Sequence, residues 1–477
     1  MPEVVALVLR GTVIDSPAHT TLRVREHCLL GVSAEGRIAF CEDAHEEEIV
    51  AGGSVLLRDG GEVGLGAECA IVRLPPRGFL CPGLVDTHTH APQFSFTGTG
   101  YDLQLLEWLT TYTFPAEQGF ANLSHAARIC RAAVRRTLYA GTTSCVYFAT
   151  IHTEAALQLG RIASGMGQRA FVGKVNMDRN SPPSYVESTA ESIAETERFV
   201  ERMRAEAAEG RSGDVVGEDG LCVACEPKGP PPQPVVTPRF VPTCSGELMA
   251  ALGRIAAKHG LLVTSHISEN LGEVAWVKEL HPECEHYAGV YDAAGLLTPR
   301  TILAHGVYLT AAERALLKAR GSTVSHCPLS NCMLRSGMLN VRRALSEGVH
   351  VALGTDVSGG ASPSMLTAIR EALKVSNLTS LVEKEKSGEE WAPLTCTEAF
   401  HLATVGGATT LGVEHLTGHL SVGSICDAVV IDPDADGTPF DLQDADDALT
   451  AWTKWITLGD DRNTAEVYVQ GRPVLHG

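Results

Sequence analysis

Short apolar runs, each followed by a segment with helical spacing, recur along the middle of the chain: "PGLVDTHTH", "GTTSCVYFA", "RAFVGKVNM", "HGLLVTSHIS", "RTILAHGVYL", "GSTVSHCPLS" and "GVHVALGTD". Among the helical segments, Glu187 to Glu209 sets Ile193, Phe199, Val200 and Met203 on one side, with charges between them. Strands alternating with helices predict a parallel sheet. No GxGxxG or Walker-type loop follows the first run, which argues against an open doubly wound sheet. The predicted fold is therefore α/β, a (β/α)8 TIM-like barrel over residues 79–415.

The two ends of the chain read differently. "VVALVLRGTVI", "LLGVSAEGRIAFC" and "AIVRLPPRGFL" near the start, and "GSICDAVVID" and "AEVYVQGRPVL" near the end, alternate and turn at glycines and acidic residues. They predict a small β-sandwich built from both termini, residues 1–78 and 416–477. Residues 209–236 are rich in Gly, Pro and acidic side chains and predict a surface-loop insertion in the barrel. That stretch holds the only CxxC, Cys222 to Cys225, which alone cannot supply the four ligands of a structural zinc.

Composition narrows the partners. A formal charge of −19 over 477 residues argues against nucleic acid, whose binding needs a basic face, and leaves a small neutral or polar substrate easier to accept. No apolar run approaches the roughly 18 residues of a membrane span. The opening "MPEVVALVLRGTVIDS" is interrupted by Arg10 and lacks a small-residue cleavage pattern. Fourteen cysteines without a regular framework suit a reducing compartment, so no membrane partner and a cytoplasmic location are expected.

The candidate chemistry lies where the runs end. His88 and His90 stand at i and i+2 of an extended segment, so both side chains point the same way. "LLVTSHISEN" ends in His266 with Glu269 three residues on, "TILAHG" in His305, and "VALGTDVSGG" in Asp356. A barrel gathers the carboxyl ends of its strands at one face, where such residues converge on a metal ion; imidazole suits zinc. Singly, a histidine after a strand is ordinarily a hydrogen-bonded loop residue, and "GTD" could be a helix cap; the combination carries the signal. His326 in "SHCPLSN" also ends a run and is expected to shape its loop rather than to ligate.

"PGLVDTHTH", "SHISE", "AHG" and "GTD", in that order, resemble the amidohydrolase superfamily. Within it, "APQFSFTGTGYDLQLLEW", "YTFPAE", "FVGKVNMD", "TPRF", "SHISEN", "SHCPLSN", "LGTDVSGG" and "LGDDRN" are similar to the guanine deaminases of its mononuclear zinc branch. The likeness runs from about residue 75 onward, with only "GRIAF" matching before it.

The resemblance implies one Zn2+ per subunit held by His88, His90, His266 and Asp356, with a position left for water. It implies catalytic roles for Asp356, which accepts the water's proton, for His305, which orients the hydroxide, and for Glu269, which protonates a ring nitrogen as hydroxide adds at C2. The products would be xanthine and ammonia. Substrate would be contacted by His90, Gln93, Arg239, Phe240, His266, Glu269 and Asp356. Gln93 offers both donor and acceptor, Arg239 a fork for the guanine carbonyl oxygen, and Phe240 a ring face. Arg239 could instead pair with a carboxylate.

Some superfamily members carbamylate a strand lysine to bridge two metals, which Lys174 in "FVGKVNM" would permit; Asp356 and the "SHISE" glutamate point to one metal. The family further implies a homodimer. An aminohydrolase acting on adenine, cytosine or a triazine is the nearest alternative reading. A barrel that has lost its chemistry is another, against which the complete set of His88, His90, His266, Glu269, His305 and Asp356 stands.

Overall fold

Eight strands neighbour one another in chain order in the computed structural model: β1 (Leu84–His90), β2 (Thr142–Phe148), β3 (Arg169–Asn176), β4 (Gln233–Pro238), β5 (Leu262–Ile267), β6 (Thr301–His305), β7 (Thr323–His326) and β8 (His350–Leu353). The structure describes residues 4–43, 52–57, 61–210, 214–216, 222–224 and 229–476. Their registers are parallel, as Val263 opposite Thr301 and Val324 opposite Val351 illustrate. Every residue of β1, β2 and β3 is buried, the signature of strands covered on both faces.

The gap between β1 and β8 is bridged by the chain just beyond β8. His88 O accepts from Asp356 N at 2.8 Å, His90 N donates to Val357 O at 2.9 Å, and Thr87 Oγ1 donates to Leu353 O at 2.8 Å. The TIM-like barrel is nearly closed.

Helices follow the strands as the spacing predicts, with local chemistry setting their ends. The helix Thr189–Ala208 starts at Ser188, whose hydroxyl accepts from Glu191 N, and buries Phe199, Val200 and Met203. Ile193 is only half-buried there, because Ser192 and Thr196 take the inward positions and receive the Asn176 amide at 2.9 and 2.7 Å. Asn270 with Glu273 and Thr310 with Glu313 form capping boxes, and Gly260 and Gly321 end their helices in the left-handed conformation.

The stretch 209–236 is not wholly a loop. Asp214–Val216 and Cys222–Ala224 pair as an antiparallel ribbon, and β4 begins at Gln233. The strand is obscured in the sequence by Pro230, Pro231, Pro232, Pro234 and Pro238, which argue against a central strand; here Pro234 lies opposite Val172 within the sheet. Cys222 lies in the ribbon, and Cys225 falls outside the described residues.

Both termini build one mixed sheet. Its path runs Arg472–His476, Thr464–Val469, Ala428–Ile431, Phe79–Pro82, Val5–Ala18, Thr21–Ser33 and Ile38–Asp43, with Glu62–Arg73 branching from Val5–Ala18. The expected sandwich is thus realised as a continuously bonded sheet that folds over a shared core of Leu9, Val13, Leu30, Leu80, Cys426 and Val430. The chain separates into two compact units: Met1–Val85, Thr137–Thr143 and Cys396–Gly477 form one, Asp86–Arg136 and Ser144–Thr395 the other. The first therefore includes the helices Cys396–Leu402 and Val405–Leu411, placed with the barrel in the sequence reading; Phe400 meets the rings of Trp452 and Trp455 at 5.5 and 6.4 Å. No described helix is long and apolar enough to cross a membrane.

At the barrel's closure a glycine is required for space. A Cβ at Gly354 would lie 2.7 Å from Ser325 Oγ and 2.9 Å from His88 Cβ. Gly354→Ala is expected to lower stability by roughly 1–3 kcal/mol through overpacking, read by urea denaturation. A change under 0.5 kcal/mol would show that β8 can yield there.

Candidate active site

The strands deliver their terminal side chains to one buried cluster. His90 Nε2 lies 3.2 Å from both His88 Nε2 and His266 Nε2, while Asp356 Oδ1 is 3.2 Å from His88 Nε2 and 3.4 Å from His90 Nε2. One ligand atom from each of His88, His90, His266 and Asp356 fits within 4.8 Å of all the others. Asp356 (φ 47°) and His305 (φ 74°) both take the left-handed conformation, which turns their side chains inward as the strands end.

This donor set fits a divalent metal ion. Burial lowers the pKa of all three histidines, His90 to about 4, so each imidazole stays neutral with a lone pair to offer. His266 Nδ1 donates to Arg239 O at 2.6 Å, which leaves Nε2 as its free acceptor. Burial pushes Asp356 up, but its close polar contacts with His88, His90 and His305 outweigh it and hold the carboxylate well below its ordinary range. Three neutral nitrogens and one anionic oxygen crowded this closely are a ligand set without an internal way to satisfy every lone pair.

Two further groups border the cluster. His305 Nε2 stands 3.8 Å from Asp356 Oδ2 and 3.4 Å from Glu269 Oε2, and its Nδ1 meets Asn331 Oδ1 at 2.8 Å. Glu269 is 4 % exposed and accepts from Ser336 Oγ at 3.1 Å. Burial, with Asp356 adding repulsion, pushes its carboxyl up to about 8, so it carries a proton at neutral pH.

His88, His90, His266, Asp356, Glu269 and His305 converge; of these, all except His88 also line a pocket of about 420 Å³ with Gln93, Arg239 and Phe240. Arg239 differs from expectation in one respect. Its fork is occupied: Nη1 and Nη2 donate to Glu117 Oε2 and Oε1 at 2.6 and 3.1 Å, committing two of its five N–H groups. Gln93 Nε2 donates to the same Glu117 at 2.9 Å, and Gln93 Oε1 accepts from Ser358 N at 3.3 Å.

Glu117 was missed in the sequence. It is fully buried, takes a third partner in Tyr185 OH at 2.7 Å, and keeps its charge because Arg239 outweighs the cost of burial. Nothing in "YTFPAE" marks it, since its partners lie 24, 68 and 122 residues away. Leu105, Trp108, Leu109 and Leu334 complete the pocket wall.

Lys174 does not join the cluster. Its ammonium donates to Glu187 Oε2 at 2.7 Å and Val175 O at 3.2 Å, a buried pair that leaves it no role as a metal bridge here. His326 is also outside the four-donor group; its ring is buried and its pKa pushed down to about 3.

The sequence pattern of the Amidohydrolase family matches residues 79–474. The chain is 44% identical over 479 residues to the guanine deaminase of Homo sapiens, covering 98% of this chain and 97% of that one. It is 40% identical over 470 residues to the guanine deaminase of Dictyostelium discoideum, covering 98% of each. Among solved structures, the guanine deaminase from C. acetobutylicum with bound guanine in its active site superposes with a TM-score of 0.82 at 31% identity, covering 98% of this chain and 99% of that one. The likeness therefore extends into the N-terminal strands, where the sequence reading found only "GRIAF"; those strands are constrained by pairing, which many apolar residues satisfy.

Replacing Glu117 tests the buried pair. Glu117→Ala leaves the Arg239 guanidinium without its counter-charge and should cost about 3–5 kcal/mol in denaturant unfolding. A loss below 1 kcal/mol would mean that solvent or Tyr185 compensates.

Proposed function

The chain belongs to the amidohydrolase family, and from that premise we propose that it is a zinc-dependent guanine deaminase, converting guanine and water to xanthine and ammonia. One observation carries the reading: His90, His266 and Asp356 of the four-donor cluster, the protonated Glu269, and Gln93 and Arg239, which Glu117 holds, line one pocket.

His88, His90, His266 and Asp356 would hold the zinc, which supplies the Lewis acidity that makes water nucleophilic at neutral pH. The chain's own groups handle the protons. Asp356, ionised and beside His305, takes the proton from the attacking water through its second oxygen. His305, fixed by Asn331, holds the attacking oxygen in line and stabilises the charge that develops. Glu269 delivers its proton to the ring nitrogen beside C2, so the ring accepts the new C–O bond without building up negative charge. Proton return to the exocyclic nitrogen then releases ammonia.

At the far side of the pocket Gln93 and Arg239 meet the substrate's polar edge. Because Glu117 fixes both, they are held in place before guanine arrives. Phe240, 5 % exposed and lining the same pocket, offers a ring face for packing. Cytoplasmic location is supported by the described cysteines, none of which is in a disulfide, and a homodimer by the family resemblance alone.

The deciding assay follows ammonia and xanthine from the zinc-loaded protein offered guanine, adenine, cytosine and guanosine in parallel. Release from guanine alone is expected. Activity on another base only would keep the mechanism and overturn the pocket assignment; zinc bound without turnover would mean a barrel that has lost its chemistry.

Two variants test the roles. Glu269→Gln is expected to keep zinc and fold while losing at least 100-fold in kcat, within the usual range for removing a general acid. Turnover within threefold of wild type would remove Glu269 from the mechanism. His88→Ala should lose zinc, measured by metal analysis.

The protonated Glu269 also sets a pH dependence. Its raised pKa means the competent form is present at low and neutral pH and is lost as pH rises through about 8. The kcat profile should fall on the alkaline side, and that limb should be absent from the residual activity of Glu269→Gln.

A further inference from the structure

We propose that Cys41 and Cys28 form a reversible, hydroperoxide-sensitive thiol pair, with Cys41 as the sulphur attacked and Cys28 as the one that resolves it. The pair lies in the unit built from both termini, on neighbouring strands of its mixed sheet, and has no part in the deamination described above.

The geometry brings three features of a reactive dithiol together. The two Sγ atoms are 3.6 Å apart. Arg25 Nη1 donates to Cys41 Sγ at 2.9 Å, a guanidinium placed on one sulphur. Cys41 is half-buried at the sheet's outer strand, whereas Cys28 is 1 % exposed, so a reagent reaches Cys41 first. Reactive cysteines have this environment: partly exposed, beside a cation, with a second thiol in reach.

The charges around the pair favour a thiolate. Asp15 faces it, yet that carboxylate is bound in bidentate fashion by Arg23 at 2.8 and 2.6 Å, and stands 3.8 Å from Arg25. Two cations thus face one anion. The hydrogen bond from Cys28 and the charge of Arg25 outweigh burial and hold the Cys41 thiol below its ordinary range. Burial does the opposite to Cys81, Cys145 and Cys426, raising each well above that range. Cys332 is exposed, yet its thiol is raised too.

The chemistry balances with a hydroperoxide as oxidant. The Cys41 thiolate attacks the terminal peroxide oxygen, the O–O bond breaks, and the leaving hydroxide or alkoxide takes a proton; the product is a sulfenic acid. The Cys28 sulphur then attacks Cys41 Sγ, its proton and the sulfenic hydroxyl leave as water, and a disulfide remains. The sulphurs must close from 3.6 Å to about 2.05 Å. Register sets Leu30, not Cys28, opposite Cys41, so the pair is diagonal across the ladder. A diagonal bridge is strained, and strain makes a disulfide easier to reduce, which suits a reversible modification.

The test uses the full-length, reduced protein treated with stoichiometric hydrogen peroxide, blocked with N-ethylmaleimide and digested with trypsin. The peptides carrying Cys28 and Cys41 separate at Arg37, so a bridge appears as their cross-linked product, lighter by two hydrogens and restored by dithiothreitol. That product is expected before Cys332 or any buried cysteine is oxidised. In Cys28→Ser, Cys41 should instead be trapped by dimedone as a sulfenic acid. Arg25→Gln should slow the reaction about tenfold, the change in thiolate fraction for one pKa unit.

Oxidation of Cys332 ahead of Cys41 would overturn the proposal. So would a Cys41 that stays alkylatable throughout, or one that passes to sulfinic acid with Cys28 intact. The wild-type result decides even if a variant does not fold.

Discussion

Asp86 holds the first and last strands of the barrel in the register that brings His88, His90 and Asp356 together. Its Oδ1 accepts from His88 N at 3.1 Å and from Thr355 N at 3.0 Å, and its second oxygen accepts from the Thr355 hydroxyl. One fully buried carboxyl therefore ties the backbone of His88 on β1 to Thr355, the residue before Asp356, beyond β8. The adjoining contacts, Asp356 N to His88 O and His90 N to Val357 O, continue the same seam. A nearly closed barrel has one place where its ends must meet, and here that place supplies His88, His90 and Asp356 together. Burial pushes the Asp86 carboxyl up to about 7 against the pull of its hydrogen bonds.

What was legible in the sequence follows from this geometry. Candidate site residues at the ends of apolar strands carry a double signal, the strand pattern and an ionisable residue at its close, and His88, His90, His266, His305 and Asp356 all stand out that way. β4 carried no such signal because proline, normally evidence against a central strand, occupies Pro234 and Pro238 within it. Glu117 was illegible for a different reason. Its importance depends on Arg239, Gln93 and Tyr185 arriving from distant segments, and one acidic residue in a helical stretch is ordinarily a solvated one. The N-terminal strands were read as strands but not as part of the family, since pairing tolerates many sequences whereas a metal ligand tolerates few.

The pocket separates its charges by purpose. On one side Glu117 and Arg239 neutralise each other in a buried pair that Tyr185 and Gln93 complete. Such a pair adds little stability over an apolar equivalent, because desolvation cancels most of its attraction, but it leaves Arg239 and Gln93 with few orientations. On the other side three neutral imidazoles and one carboxylate leave a net anionic cluster whose natural counter-ion is a dication. A neutral purine can enter between these two without either side having to give up a partner. A strongly anionic substrate would meet the Asp356 carboxylate as well as the chain's overall charge of −19.

The two carboxyls of the site illustrate how position alone divides their labour. Asp356 and Glu269 both contact His305, at 3.8 and 3.4 Å, and both are deeply buried. Burial by itself would raise each. Asp356 is held ionised by its polar contacts with His88 and His90, whereas Glu269, with the Ser336 hydroxyl and His305 beside it, is dominated by burial and feels Asp356 as a like charge, so its proton stays to about pH 8. Addition of water to an amidine carbon needs a proton removed on one side and supplied on the other, and two identical carboxyls could not do both at one pH. His305 lies between them and couples the two. Ionising Glu269 would place a second negative charge against the same imidazole, which disfavours it as long as Asp356 keeps its own. Burial first, and the Asp356 carboxylate second, thus keep Glu269 protonated.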